Sequence, residues 1–133
     1  MAAGLKVVLA DDDAHITYVV AMRLRSANYS VTVARDGEEA LDLILQDRPH
    51  LVITDLQMPR MSGLELALKL REDPNLADMP LIMLTARGYL ADEAQLARTN
   101  VRRVLHKPFS AKEVLKLVAE VIAESSQDGA AAA

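Results

Sequence analysis

The amino-acid sequence predicts an α/β fold: a doubly wound, five-stranded parallel sheet in the strand order 2-1-3-4-5. Short apolar runs alternate five times with longer segments of helical period, the pattern of βα units. The first, third and fourth runs are continuously apolar, as expected of strands covered on both faces. The second run is short and alternating, and the fifth carries Arg102 and Arg103, so both belong at the edges of the sheet.

Leu5-Lys6-Val7-Val8-Leu9-Ala10 is the first strand, and Ile16, Val19, Val20, Leu24 and Ala27 then recur on one helix face. Val31-Thr32-Val33-Ala34 is the second strand. Asp36-Gly37-Glu38-Glu39 has the form of a capping box, opening a helix that turns Ala40, Leu41, Ile44 and Leu45 inward. The third strand is Leu51-Val52-Ile53-Thr54. Ser62-Gly63-Leu64-Glu65 opens the next helix, and Asp73-Pro74 closes it. Leu81-Ile82-Met83-Leu84 is the fourth strand, followed by a weaker helix around Leu90 to Arg98. Val101 to Leu105 is the fifth strand. Ser110-Ala111-Lys112-Glu113 then caps a helix with Val114, Leu115, Val118, Val121 and Ile122 inward.

The 133 residues suit one compact domain, set at residues 5–124, with a frayed tail or linker over 125–133. There is no cysteine, which excludes disulfides, thiolate catalysis and cysteine-built zinc sites and agrees with a cytoplasmic setting. The formal charge of −4, with both signs interspersed, gives no basic field for direct contact with nucleic acid. Met1 to Ala10 is too short for a signal peptide, and no stretch is long enough for a membrane span.

Ligands of open α/β sheets bind beyond the carboxyl ends of the strands, where the strand order reverses, here between strands one and three. Strand one ends in Asp11-Asp12-Asp13, strand three in Asp55, strand four in Thr85 and strand five in His106-Lys107-Pro108. Crowded carboxylates repel unless they protonate or share a cation. An all-oxygen donor set with open water positions suits Mg2+. A carboxylate can also attack phosphorus, and such a transfer asks the protein mainly for charge neutralisation. Lys107 would supply part of that, and Thr85 a hydrogen-bond donor.

The chain resembles the receiver domains of bacterial two-component response regulators, with the flavodoxin-like (βα)5 fold of the chemotaxis regulator. The motifs that carry the resemblance are Val8 to Asp13, Leu51 to Pro59, Ser62-Gly63, Leu84-Thr85-Ala86 and Lys107-Pro108-Phe109. The resemblance implies a phosphoacceptor at Asp55. Mg2+ would be held by Asp11, Asp12, Asp55 and the backbone carbonyl of Gln57. It makes Thr85 and Lys107 the switch hydroxyl and the conserved cation, and the Lys107-Pro108 bond cis. It also implies phosphorylation by a histidine kinase or histidine phosphotransfer protein, an effector downstream, and a monomer or weak homodimer.

Departures from the family pattern concern modulation. Val104 stands where receivers commonly carry an aromatic, and no glycine precedes strand five in Arg98-Thr99-Asn100-Val101. Gln57 and Arg87, two positions beyond Asp55 and Thr85, are placed to tune the lifetime of the phosphorylated state. Other residues have plainer readings. Asp13 is a helix cap, His15 and His50 are solvated, and His106 is a rim residue. Met22, Met79 and Met83 are core or rim packing, and Arg102-Arg103 is a solvated edge.

Two rival functions use the same residues. A phosphatase of the haloacid-dehalogenase type wants a second acid two residues after its nucleophile, where this chain has Gln57. A phosphorylation-independent interaction module is expected to lose an acid, the threonine or the lysine, and all are present.

Overall fold

Parallel pairing in the order β2-β1-β3-β4-β5 joins five strands: β1 (Lys6–Ala10), β2 (Ser30–Ala34), β3 (Leu51–Asp55), β4 (Leu81–Thr85) and β5 (Val101–His106). The computed structural model describes residues 4–86 and 93–132, with side chains described to residue 125. The helices are α1 (Ala14–Ser26), α2 (Gly37–Gln46), α3 (Gly63–Glu72), α4 (Glu93–Leu96) and α5 (Ala111–Ala132). Predicted fold and strand order are both met.

The pleat explains the continuous apolar runs. Val7 and Leu9 of β1 pack with Leu24 of α1 and Val114 and Val118 of α5, whereas Val8 and Ala10 join Ala40 and Ile44 of α2 and Leu66 and Leu70 of α3. Alternate residues thus enter opposite core layers, so no polar alternation survives. β5 is half-exposed along its length, and a register shift between Leu81 and Ile82 leaves Arg102 as the extra residue of a bulge.

Helix starts follow the side-chain chemistry. Asp13 accepts from the His15 and Ile16 N–H groups at the start of α1. Ser62 and Glu65 close a reciprocal capping box on α3, and Ser110 and Glu113 exchange the same two bonds at α5. The expected box on α2 is only half made. Asp36 accepts from Glu39 N–H, but the Glu39 carboxylate takes the N–H of Arg35, one residue further back.

Several expectations are corrected. Leu45 is 59% exposed and Met22 52% exposed, so neither is core. At about 100° per residue, each lies well round its helix from the buried stripes Ala40–Ile44 and Thr17–Leu24. Arg102 and Arg103 are not simply solvated, because both pair with Glu124 of α5. Arg87 and most of the segment 85–90 lie outside the described residues.

Two non-glycine residues have left-handed backbone, Asn28 at φ 75° and Arg60 at φ 67°. Asn tolerates that region, and Asn28 follows the end of α1. Arg60 does not share that tolerance, and such a conformation typically stores on the order of 1–3 kcal/mol.

Candidate functional site

Four strand ends meet on one rim. Beyond β1, Asp11 N–H still donates to the Ala34 carbonyl at 3.1 Å, and Asp13 opens α1 two residues later. Asp11 and Asp12 are therefore held on a tight strand-to-helix turn. Asp55 is the last residue of β3, and Leu56 N–H extends the ladder to Leu84 O at 2.8 Å. Thr85 ends β4, and its carbonyl accepts from Lys107 N–H at 2.8 Å, drawing the end of β5 alongside. The Lys107-Pro108 bond is cis, as the resemblance implies.

The Lys107 ammonium lies 3.2 Å from Asp55 Oδ1 and 3.6 Å from Asp11 Oδ2. One carboxylate oxygen each from Asp11, Asp12 and Asp55 falls within 4.8 Å of the others. Asp11, Asp55 and Thr85 are buried, while Asp12 is exposed. Asp11 Oδ1 accepts from Asp13 N–H at 2.9 Å, but Asp11 Oδ2 and Thr85 Oγ1 are buried without a hydrogen-bond partner. Buried polar atoms are seldom left so, and two at one rim mark a place for a ligand. Three carboxylates with one side open to water fit a hard divalent cation that keeps waters in its shell.

Electrostatics tell the same story. Burial pushes the Asp11 carboxyl up to about 6; the Asp13 N–H opposes this, and repulsion from Asp55 adds to it. Burial also raises Asp55, against the pull of Lys107 and with further repulsion from Asp12. For Lys107 burial works downward, but attraction to Asp11 and Asp55 outweighs it, so its ammonium is held above the usual lysine value. One lysine cannot neutralise three acids, and a divalent cation would complete the balance.

Gly63 supports this arrangement. Its N–H donates to Leu56 O at 2.9 Å, and a Cβ there would sit 2.3 Å from the Asp55 carbonyl oxygen and 3.0 Å from Met83 Sδ. Gly63→Ala should therefore lower stability by about 1–3 kcal/mol through overpacking against backbone. Chemical denaturation measures this, and a loss below about 0.5 kcal/mol would show that the turn yields freely.

The rim thus brings together Asp11, Asp12, Asp55, Thr85 and Lys107. Gln57 is exposed two residues beyond Asp55, and His106 is exposed at the end of β5. Val104 is 37% exposed on β5. One feature escaped the sequence: Arg60 Nη1 lies 3.2 Å from Asp36 Oδ2, tying the loop after β3 to the start of α2. Arg60 follows Pro59 in an ordinary loop pattern, so nothing local signals its partner 24 residues away.

Comparison with known proteins agrees with this geometry. A sequence profile described as the response regulator receiver domain matches residues 7–119. The chain is 37% identical over 122 residues to the probable transcriptional regulator ycf27 of Guillardia theta, covering 92% of this chain and 47% of that protein. It is 34% identical to the response regulator MprA of Mycolicibacterium vanbaalenii, covering 96% of this chain and 54% of that protein. The chain thus spans about half the length of these relatives. The chemotaxis response regulator CheY4 of Vibrio cholerae superposes with a TM-score of 0.81 at 31% identity, covering 88% of this chain and 98% of that one. A putative response regulator from Chloroflexus aurantiacus gives 0.82 at 30% identity, covering 90% and 98%. Family profile, relatives and fold converge, and the chain belongs to the response regulator receiver domains of two-component signalling.

Proposed function

We propose that the chain is a phosphoacceptor switch taking a phosphoryl group onto Asp55 from a histidine kinase or histidine phosphotransfer protein. The observation that carries this reading is the contact of buried Asp55 with Lys107, flanked by Asp11 Oδ2 and Thr85 Oγ1, which are buried without a hydrogen-bond partner at the ends of the strands on either side of β3. Asp55 attacks phosphorus with a carboxylate oxygen; the bond to the donor imidazole nitrogen breaks, and the imidazole leaves with that electron pair. Lys107 neutralises charge on the incoming group, and the Thr85 hydroxyl donates to a phosphoryl oxygen. Asp11, Asp12, Asp55 and the Gln57 carbonyl would hold Mg2+, which offsets phosphoryl charge when bound. The face that contacts a downstream effector then changes through the segment after Thr85. Gln57 and Arg87 set the lifetime of the phosphorylated state, and Val104 is a passive filler, stiff at its first torsion. The receiver unit is residues 5–124, working in the cytoplasm as a monomer or weak homodimer. Among the described residues no helix is long and apolar enough to cross a membrane.

The test is labelling by acetyl phosphate with and without magnesium, followed by intact mass. Slow addition of one phosphoryl group, dependent on magnesium, is expected. Asp12→Ala should weaken magnesium binding about tenfold or more, because it removes a direct charge. Rapid turnover of many equivalents would indicate a phosphatase, no labelling a pure interaction module, and an unchanged metal titration in Asp12→Ala a solvated helix start.

A further inference from the structure

Asp36 is 6% exposed, and both carboxylate oxygens are committed. Oδ1 accepts from Glu39 N–H at 2.8 Å, and Oδ2 faces Arg60 Nη1 at 3.2 Å. Beside this pair, Gly37 N–H donates to Met61 O at 3.2 Å, and a Cβ on Gly37 would sit 2.4 Å from that oxygen. The start of α2 thus grips the loop between Leu56 and Gly63 at Arg60 and Met61. The ends of that segment are fixed separately, by Leu56 N–H on Leu84 O and by Gly63 N–H on Leu56 O.

Arg60 is held at φ 67°, with Met61 N–H folded back on Pro59 O at 2.7 Å. A left-handed arginine persists only where its surroundings over-determine it. Without the ion pair the loop keeps its strain but loses a restraint that opposes relaxation. Pro59 has a fixed φ and absorbs little of the movement, so the shift passes back to Met58 and Gln57.

We infer that the Asp36–Arg60 pair is a positioning device, holding the loop after β3 in the form that presents the Gln57 carbonyl to the metal. This rests on the proposed metal site and adds two residues that touch neither metal nor phosphoryl group. Asp36 and Arg60 act through the backbone, so their influence on metal affinity has a sign that distinguishes it from simple charge. Deleting a distant cation strengthens binding of a divalent cation, and deleting an anion weakens it. Loss of positioning weakens binding in both cases.

The experiment titrates magnesium calorimetrically into metal-free wild type, Asp36→Asn, Arg60→Gln and the double variant. Asn remains a good helix cap, and Gln keeps the length of the side chain without its charge. Each single variant should bind magnesium about threefold or more weaker, and the double variant no weaker than the poorer single one. Arg60→Lys should stay within about twofold of wild type, since it keeps the charge that Asp36 needs. Amide exchange at Gln57, Met58 and Met61 should quicken in both single variants without metal. Tighter binding in Arg60→Gln with near wild-type binding in the double variant would be a charge effect and would overturn the proposal. Equal affinity in all four proteins, even with reduced stability, would overturn it as well. A wild type that takes no magnesium would instead remove the metal site itself, and the positioning role with it.

Discussion

Asp55→Asn should fold as the parent does and take up no phosphoryl group from acetyl phosphate and magnesium. The expected loss is on the order of a hundredfold or more, because an amide is a poor nucleophile and a weaker metal ligand. Shape is preserved, and Lys107 keeps Asp11 Oδ2 at 3.6 Å as an alternative partner, so the rim should hold together. Replacing Asp55 also removes one of three crowded carboxylates, so the metal-free variant should be at least as stable as the parent. Intact mass after incubation reads the labelling, and thermal unfolding reads the fold. Full labelling of Asp55→Asn would move the nucleophile to another residue, with Asp12 the exposed candidate.

The fold was legible because double burial leaves a strong trace. Val7 through Ala10 are all buried, yet they serve two different core layers, and only a strand between two helical layers does that. The edges were legible from the polar residues of β2 and β5. What periodicity missed lies at the margins of helix faces. Leu45 is spaced as a core residue within the tolerance of the pattern, but it sits beyond the buried stripe. The Glu124 pairing of Arg102 and Arg103 depends on how α5 crosses β5, which no local pattern specifies.

The candidate site was legible for a topological reason. Once strand order is known, the residue after each strand is placed on the rim, and five chemically apt residues followed. Distances and charge states were not legible. That Lys107 would touch both Asp55 and Asp11 follows from the Lys107 N–H bond to Thr85 O, a contact made only when β5 pairs with β4. The Asp36–Arg60 link was hidden because Asp36 already had a complete local reading as a cap, and caps do not announce a second partner.

The Asp11 carboxyl turns this geometry into a pH effect with a definite sign. Its value rises from 3.8 to about 6 on folding, so between those values the folded chain holds a proton that the unfolded chain has released. Stability changes with pH as the difference in bound protons, unfolded minus folded, and here that difference is negative. The contribution of Asp11 to metal-free stability therefore falls as pH rises from about 4 to about 6, then levels off. Asp11→Asn imitates the protonated group and keeps an acceptor for the Asp13 N–H bond. Without metal, the two proteins should be nearly equal in stability near pH 4. By pH 7.5 the variant should be the more stable, by up to about 3 kcal/mol if the whole shift is expressed. Magnesium should narrow this gap, because it stabilises only the state that binds it, by about 1.4 kcal/mol at ten times its dissociation constant, and the variant lacks one ligand charge. Urea denaturation at four pH values, with and without magnesium, reads both effects. A metal-free gap that stays flat with pH, or one that favours wild type above pH 6, would mean that Asp11 is charged without penalty and that the rim does not need a cation.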